Sequence, residues 1–344
     1  MKYYLGIDLG GTNTKIGILD ENGNIVAKGS VPTHIQEGPE AACQRIAGGV
    51  DEVLAQANLT RADIAKAGLA SAGPMDIPGR TLRETANLGE KWKYCPIADM
   101  MSEACGIYLE FANDASAAAF AEYWVGKGKD AKKHTVNQQG VVTLDKPITS
   151  MVLLTLGTGI GCGIIINKMV YDGEHSQGGE YGHALIDTTP NARICGCGRP
   201  GHYEAYGSAT AVISRTKEII DSGVKTSLAA RRADLDTIGA KVVAEEAQKG
   251  DEVAMQIILD TAKYLAIGIV TLMHTIDPDA IYLGGAMTFG GNESELGRTF
   301  IKAIRDEIKV RALPTCSATT IVDFAALGGD AGFIGAAGIA RAME

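Results

Sequence analysis

The sequence predicts an α/β protein of two stacked lobes, each built on a glycine-turned β-meander. Three observations carry that prediction. A pattern of strand, Gly/Thr turn, strand, hairpin and short strand over residues 3–31 returns over residues 151–171, so one supersecondary unit occurs twice. Amphipathic helices and single apolar strands follow each copy. The chain has 344 residues, beyond the roughly 250–300 at which a single hydrophobic core stops growing. A cleft between the lobes is therefore expected. The 43 glycines are well above the average usage of about 7% and suit a chain with many tight turns.

In the first copy, residues 3–9 form a β-rich run, Gly10-Gly11-Thr12-Asn13 a turn, and 14–19 a second run. Asn22-Gly23-Asn24 is a hairpin signal leading into 25–31. In the second copy the same parts are 151–156, Gly157-Thr158-Gly159-Ile160-Gly161, 162–166, Asn167-Lys168 and 169–171. The first meander is followed by an amphipathic helix over 40–57, strands over 64–69 and 107–111, and a helix over 116–124 entered from an Asn113-Asp114 turn. The second is followed by helices over 205–221, 238–249 and 252–276, then a buried-type strand over 280–283 with a Gly284-Gly285 turn. Residues 126–150 are polar, with Lys127, Lys129, Lys132 and Lys133 close together, and read as a solvated loop or hairpin. The stretch 327–337 reads as a small-residue helix packed tightly on the first lobe.

The net charge of −9 and a pI near 5.3 argue against a nucleic-acid surface, which needs a concentrated basic footprint. The start of the chain has no signal-peptide hydrophobic region, and no stretch reads as a membrane span of roughly 18 apolar residues. A cytoplasmic protein is expected. Seven cysteines with irregular spacing suit a reducing compartment, and Cys43, Cys95, Cys105, Cys162 and Cys316 read as reduced small hydrophobes.

The remaining two form a C-x-C cluster. Between Gly179 and Glu204 stand Glu180-Tyr-Gly-His183, Cys195-Gly-Cys197-Gly and Gly201-His202-Tyr-Glu204. His183, Cys195, Cys197 and His202 are four ligands of the kind Zn²⁺ favours, a closed set that leaves no position for a catalytic water and so is structural. The alternative is two core thiols and two surface histidines. The two Gly/Thr turns can present backbone N–H groups to phosphates, with Thr12 and Thr158 adding hydroxyls, or can be plain hairpin turns. Neither G-x-x-x-x-G-K-[ST] nor G-x-G-x-x-G opening a helix occurs at them, so Walker and Rossmann sites are excluded there. Asp114, past an apolar strand and ahead of small residues, is placed to be a general base or a helix N-cap. For Glu180 and Glu204 the residues alone give solvated loop charge, the usual state of a glutamate.

Taken in order, Asp8-Leu-Gly-Gly-Thr12, Asn113-Asp114, Gly157-Thr-Gly-Ile-Gly161, Glu180-Tyr-Gly-His183, Cys195-Gly-Cys197-Gly and Gly201-His-Tyr-Glu204 resemble the ROK sugar kinases over nearly the whole chain. The departure is His202, where the family pattern has a cysteine as the last zinc ligand. The resemblance implies the actin-like, ribonuclease-H-like duplicated ATPase fold, with lobes 1–114 plus 331–344 and 115–330. It implies an ATP:hexose 6-phosphotransferase of the glucokinase-like branch, with N-acylhexosamine or mannosamine kinase as the alternative and a non-catalytic sugar sensor as a third reading. ATP and Mg²⁺ would be held by Asp8, Gly10, Gly11, Thr12, Asn13, Gly157, Thr158, Gly159, Gly284 and Gly285. Sugar would be held by Gly73, Asn87, Asn113, Asp114, Glu180, His183 and Glu204, with Asp114 the base and His183 serving zinc and sugar through different nitrogens. A homodimer is implied as well.

Overall fold

The computed structural model describes residues 1–83 and 88–344. Its strands are β1 (Tyr3–Leu9), β2 (Asn13–Asp20), β3 (Ile25–Pro32), β4 (Ile64–Ser71), the two-residue pair β5 (Met75–Asp76) and β6 (Thr81–Leu82), and β7 (Leu109–Asn113). Then come β8 (Lys132–Asn137), β9 (Gly140–Pro147), β10 (Met151–Leu156), β11 (Ile160–Ile166), β12 (Met169–Val170), β13 (Ala280–Gly284) and β14 (Ile321–Phe324). Two five-stranded sheets have orders β3-β2-β1-β4-β7 and β12-β11-β10-β13-β14. Counted within each copy both read third, second, first, fourth, fifth, so the predicted duplication extends to the whole sheet.

Local chemistry explains the turns. In the first meander Asp20 Oδ1 accepts from the amides of Asn22 and Asn24, both at 2.9 Å, an Asx-type turn that closes the predicted hairpin. In the second, Asn167 and Lys168 both take positive φ, 52° and 69°, the pattern of a two-residue type I′ turn. The polar stretch 126–150 resolves into a short helix, Lys127–Asp130, and the β8–β9 hairpin.

The chain forms two compact units. One is Met1–Ala131, Gly163–Gly179 and Ala326–Glu344; the other is Lys132–Cys162 and Glu180–Ala325. These limits differ from the expected 114/115 and 330/331 boundaries. The helix Asp114–Trp124 packs on the tail helix Ala331–Ala342, which lies on β1 and β4, so residues 115–131 stay with the first unit. The tail is built of small residues for that approach: a Cβ added at Gly335 would stand 1.6 Å from the Ala117 carbonyl oxygen.

In the first unit, the helix Pro39–Gln56, opened by its N1 proline, buries Ala42, Cys43, Ile46, Val50 and Val53 against Ile7, Ile16, Leu69 and Trp92. In the second, the 25-residue helix Glu252–Ile276 packs on helices Lys241–Gln248 and Glu295–Arg311. By length and composition this helix could cross a membrane, contrary to the expectation that no stretch could. Some 56% of its apolar window is buried inside the protein, the pattern of a core helix. The predicted helix over 205–221 is broken into Glu204–Gly207 and Ala209–Asp221, because Ser208 leaves the helix to cap the second piece through its bond from the Ala211 amide.

Candidate active site

In the first unit the strand register gathers the predicted residues. Leu9 pairs with Ser71 and Ser71 with Asn113, all in parallel strands. The Gly10-Gly11-Thr12-Asn13 turn, the Gly73 segment and Asn113-Asp114 therefore leave from the same carboxyl edge of β1, β4 and β7, where ligands bind α/β sheets. Two carbonyls of the turn are tied back: Thr33 Oγ1 donates to the Gly10 oxygen at 2.7 Å and the Thr33 amide to the Thr12 oxygen at 2.9 Å. An anion cradle needs that, since a carbonyl lone pair would repel phosphate. Asp8 lies at the start of the tail helix, its Oδ2 2.3 Å from where a Cβ on Gly332 would be. Burial pushes the Asp8 carboxyl up to about 6, opposed by the charge of Lys15.

Asn113 is the N-cap of the helix Asp114–Trp124, its Oδ1 accepting from Ala115 N at 2.9 Å and Ser116 N at 3.2 Å. The helix thus starts two residues earlier than expected, and the separate Asn113-Asp114 turn is absent. Since Asn113 does the capping, that alternative for Asp114 loses its basis; Asp114 Oδ1 accepts from the adjacent Ala115 amide at 2.8 Å, a local bond. Asn87 lies outside the described residues. Asp172 has no counterpart in the sequence reading. Ser116 Oγ donates to it at 3.0 Å, and burial raises its carboxyl above the ordinary range. No spacing marks it, because the fold brings it to the helix from 56 residues away.

In the second unit Thr155 pairs with Gly284 in parallel strands, so the Gly157-Thr158-Gly159 turn and Gly284-Gly285 share an edge. Here too the carbonyls are engaged, Gly157 O by the Ala209 amide at 2.9 Å and Thr158 O by Thr210 Oγ1 at 2.7 Å. The turn is braced by Glu204, whose Oε2 accepts from Ile160 N at 2.9 Å. A Cβ on Gly159 would stand 2.1 Å from that oxygen, so glycine at 159 admits a carboxylate. Glu204 is accordingly a seated residue, not solvated loop charge.

The ligating atoms of His183, Cys195, Cys197 and His202 all lie within 4.8 Å of one another. His183 Nδ1 is 3.7 Å from Cys195 Sγ, His202 Nδ1 is 3.2 Å from Cys197 Sγ, and the two Nδ1 atoms are 3.3 Å apart. Tetrahedral zinc with bonds of about 2.3 Å to sulfur and about 2.05 Å to nitrogen requires roughly 3.6 Å between S and N and roughly 3.3 Å between the nitrogens. The donor set suits that ion in type and spacing, and His202 stands where a fourth ligand would. Burial pushes the Cys195 thiol up to about 12, and burial with His183 nearby lowers His202 below its ordinary value. A bound cation would supply the charge that a thiolate there lacks. His183 turns Nδ1 inward and leaves Nε2 3.8 Å from Glu180 Oε2, so its two nitrogens face different partners.

Comparison with known proteins agrees with this architecture. The chain is 29% identical over 343 residues to a glucokinase of Halalkalibacterium halodurans, covering 100% of this chain and 96% of the relative. It is 30% identical over 342 residues to a glucokinase of Streptomyces coelicolor, covering 98% and 97%. The solved ROK family glucokinase of Streptomyces griseus, in complex with glucose and AMPPNP, superposes with a TM-score of 0.72 at 27% identity, over 99% of each chain. More divergent roles also appear, an N-acetylmannosamine kinase of Escherichia fergusonii at 28% over 297 residues (86% of this chain, 87% of the relative) and a putative xylose repressor of Caldicellulosiruptor at 27% over 311 (90% and 71%). The fold is the actin-like ATPase fold. The ROK family profile matches residues 4–343, and the chain belongs to the ROK family.

Proposed function

We propose that the protein is an ATP-dependent hexose kinase that transfers the γ-phosphate of ATP to the 6-hydroxyl of glucose. The observation that carries this reading is the place of Asp114, on the edge from which the Gly10–Asn13 turn leaves, with the capping done by Asn113. Asp114 takes the proton of the 6-hydroxyl as its oxygen attacks the γ-phosphorus, and the bond to the β-γ bridging oxygen breaks to release ADP. Amides of Gly10, Gly11, Thr12 and Asn13 and of Gly157, Thr158 and Gly159 hold the β- and γ-phosphates, and Gly284-Gly285 lets the backbone approach adenosine.

Asp8 would hold Mg²⁺, through water, and that ion neutralises charge on the phosphoryl oxygens when bound. His183, Cys195, Cys197 and His202 would hold a structural Zn²⁺ that fixes the loop carrying the sugar-binding side chains. Glu180, His183 and Glu204 contact the ring hydroxyls near C1 to C3, Asn113 and Asp114 those toward C4 and C6, and Asn87 and the Gly73 segment close the pocket. Seven free cysteines suit a cytoplasmic enzyme, and a homodimer belongs to the same reading.

The test is a coupled ADP-release assay with Mg·ATP against glucose, mannose, fructose, allose, N-acetylglucosamine and N-acetylmannosamine, with Asp114→Asn as control. Turnover on glucose, lost in the variant, is the expected result. Turnover on N-acetylmannosamine alone would replace glucose with the runner-up. Silence on every sugar with sugar-dependent DNA binding would make the chain a sensor. Hydrolysis of ATP without sugar is expected to be slow, because sugar binding assembles the productive site, and the closed site then keeps water from the γ-phosphate.

A further inference from the structure

We infer that Tyr206 is a positioning residue for the metal-binding loop, holding its donors in place through one buried hydroxyl. This rests on reading the four-donor cluster as a metal site. The Tyr206 hydroxyl donates to Asp187 Oδ2 at 2.6 Å and accepts from the Arg193 amide at 2.7 Å. Asp187 lies four residues after His183, Arg193 two before Cys195, and Tyr206 itself four after His202 and two after Glu204. One hydroxyl therefore joins the three runs of chain that deliver His183, Cys195 and His202.

The tie is fixed to something rigid. The Tyr206 side chain is 4% exposed, and its ring stands 5.1 Å from that of Tyr264 on the core helix Glu252–Ile276. Its carbonyl accepts from the Arg215 guanidinium, which also donates to Thr261 Oγ1 of that helix at 2.5 Å. Apolar burial does little of this holding, since Leu185 and Ile194 in the loop are 61% and 67% exposed. A Gly-rich loop with two of its large apolar side chains in solvent relies on polar ties to keep tetrahedral donor spacings. A tyrosine that merely satisfies its own hydroxyl would leave metal affinity unchanged when the oxygen is removed.

The experiment compares Tyr206→Phe with the parent protein, both loaded with zinc. Zinc retained against a competing chelator is read by elemental mass spectrometry, and sugar KM and kcat are measured with and without added zinc. The expected result is a 10- to 100-fold loss of zinc affinity, the range that supporting hydrogen bonds to metal ligands command. Sugar KM rises with kcat within about twofold, and added zinc restores KM. Asp187→Ala, which removes the same bond from the loop side together with the one Oδ1 accepts from the Thr189 amide at 2.9 Å, must shift zinc affinity in the same direction, while Asp187→Asn, which keeps an acceptor oxygen, retains it. Should Tyr206→Phe fail to fold, the Asp187 pair decides. Equal zinc retention in parent and variants overturns the inference alone. A parent protein that binds no zinc overturns the metal reading and the inference together.

Discussion

The two five-stranded sheets share one strand order, yet the glycine turn of each is held in a different way. The first turn is tied by Thr33 from the adjacent strand end, and its Asp8 is enclosed by the tail helix. The second is tied at its carbonyls by the start of the helix Ala209–Asp221 and braced by Glu204, which reaches it from the run that also supplies His202. Glu204 Oε1 in turn lies 3.5 Å from Cys195 Sγ. Register within a buried sheet sets the chemistry of the first unit, and a cluster of polar donors sets that of the second. Substitution and metal removal should therefore affect them differently.

The largest effect expected is loss of turnover in Asp114→Asn. A positioned general base contributes roughly 10²- to 10⁴-fold, so kcat should fall by that factor while sugar binding, measured calorimetrically, stays within about twofold. Zinc retention should be untouched, because the four candidate donors all belong to the other unit. A variant that keeps its kcat would remove Asp114 from the chemistry.

On the proposed reading of the Cys/His cluster as a zinc site, treatment with a chelator is the complementary perturbation. Sugar KM should rise about 10- to 100-fold, in line with the loss of a structural ion from the loop that orients Glu204 and His183. Hydrogen exchange should quicken over residues 183–204 and stay slow in β1, β4 and β7, whose apolar faces are buried independently of the ion. Uniform exchange across both units would show that the asymmetry between the two turns is not energetic.

Legibility in the sequence follows the same division. The duplicated meander, the Asn22-Gly23 and Asn167-Lys168 hairpins and the tail helix could be read because their signals are local: apolar alternation, turn residues, runs of small side chains. His183, Cys195, Cys197 and His202, which the fold brings together, and the Asn113-Asp114 pair could be picked out as candidates because residue type and short spacing carry them. What escaped depends on distant partners. Asp172 meets Ser116 across 56 positions, and the buried carboxylate of Glu122 accepts from the amides of Ala326 and Leu327, both at 2.7 Å, across more than 200. Gly159 could be seen as a turn glycine, but its reason, admission of Glu204, lies 45 residues further on. Helix limits failed where a side chain decided them, Asn113 starting one helix early and Ser208 interrupting another.

Asp8 sharpens the comparison through pH. Its carboxyl is pushed up to about 6 in the fold from an ordinary 3.8. Between those values the folded chain holds a proton that the unfolded chain has released, so stability falls as pH rises through about 4 to 6 and is level above. Asp8→Asn carries no charge to bury and should be more stable than the parent by about 3 kcal/mol at pH 7.5, a difference that shrinks to about 0.5 kcal/mol near pH 4. Urea unfolding at the two pH values measures this. A difference independent of pH would mean that the Asp8 charge is not the source.

The smallest effects come from alanine at two glycines of one turn, and they separate bracing from ligand binding. At Gly159 the added Cβ meets Glu204 Oε2 at 2.1 Å, so the carboxylate must move and its bond to Ile160 N is lost. Losing such a charged hydrogen bond costs about 1.5–3 kcal/mol, and both stability and sugar affinity should fall. At Gly157 nothing lies within 4 Å of the added Cβ, so stability should change by less than about 0.5 kcal/mol, as at other unconstrained positions. If the turn cradles phosphate, that open space is where the nucleotide approaches, and Gly157→Ala should weaken ATP binding while leaving the melting curve in place. Unchanged affinity for ATP in Gly157→Ala, alongside a destabilised Gly159→Ala, would leave the second turn as a brace for Glu204 and move phosphate binding to the first.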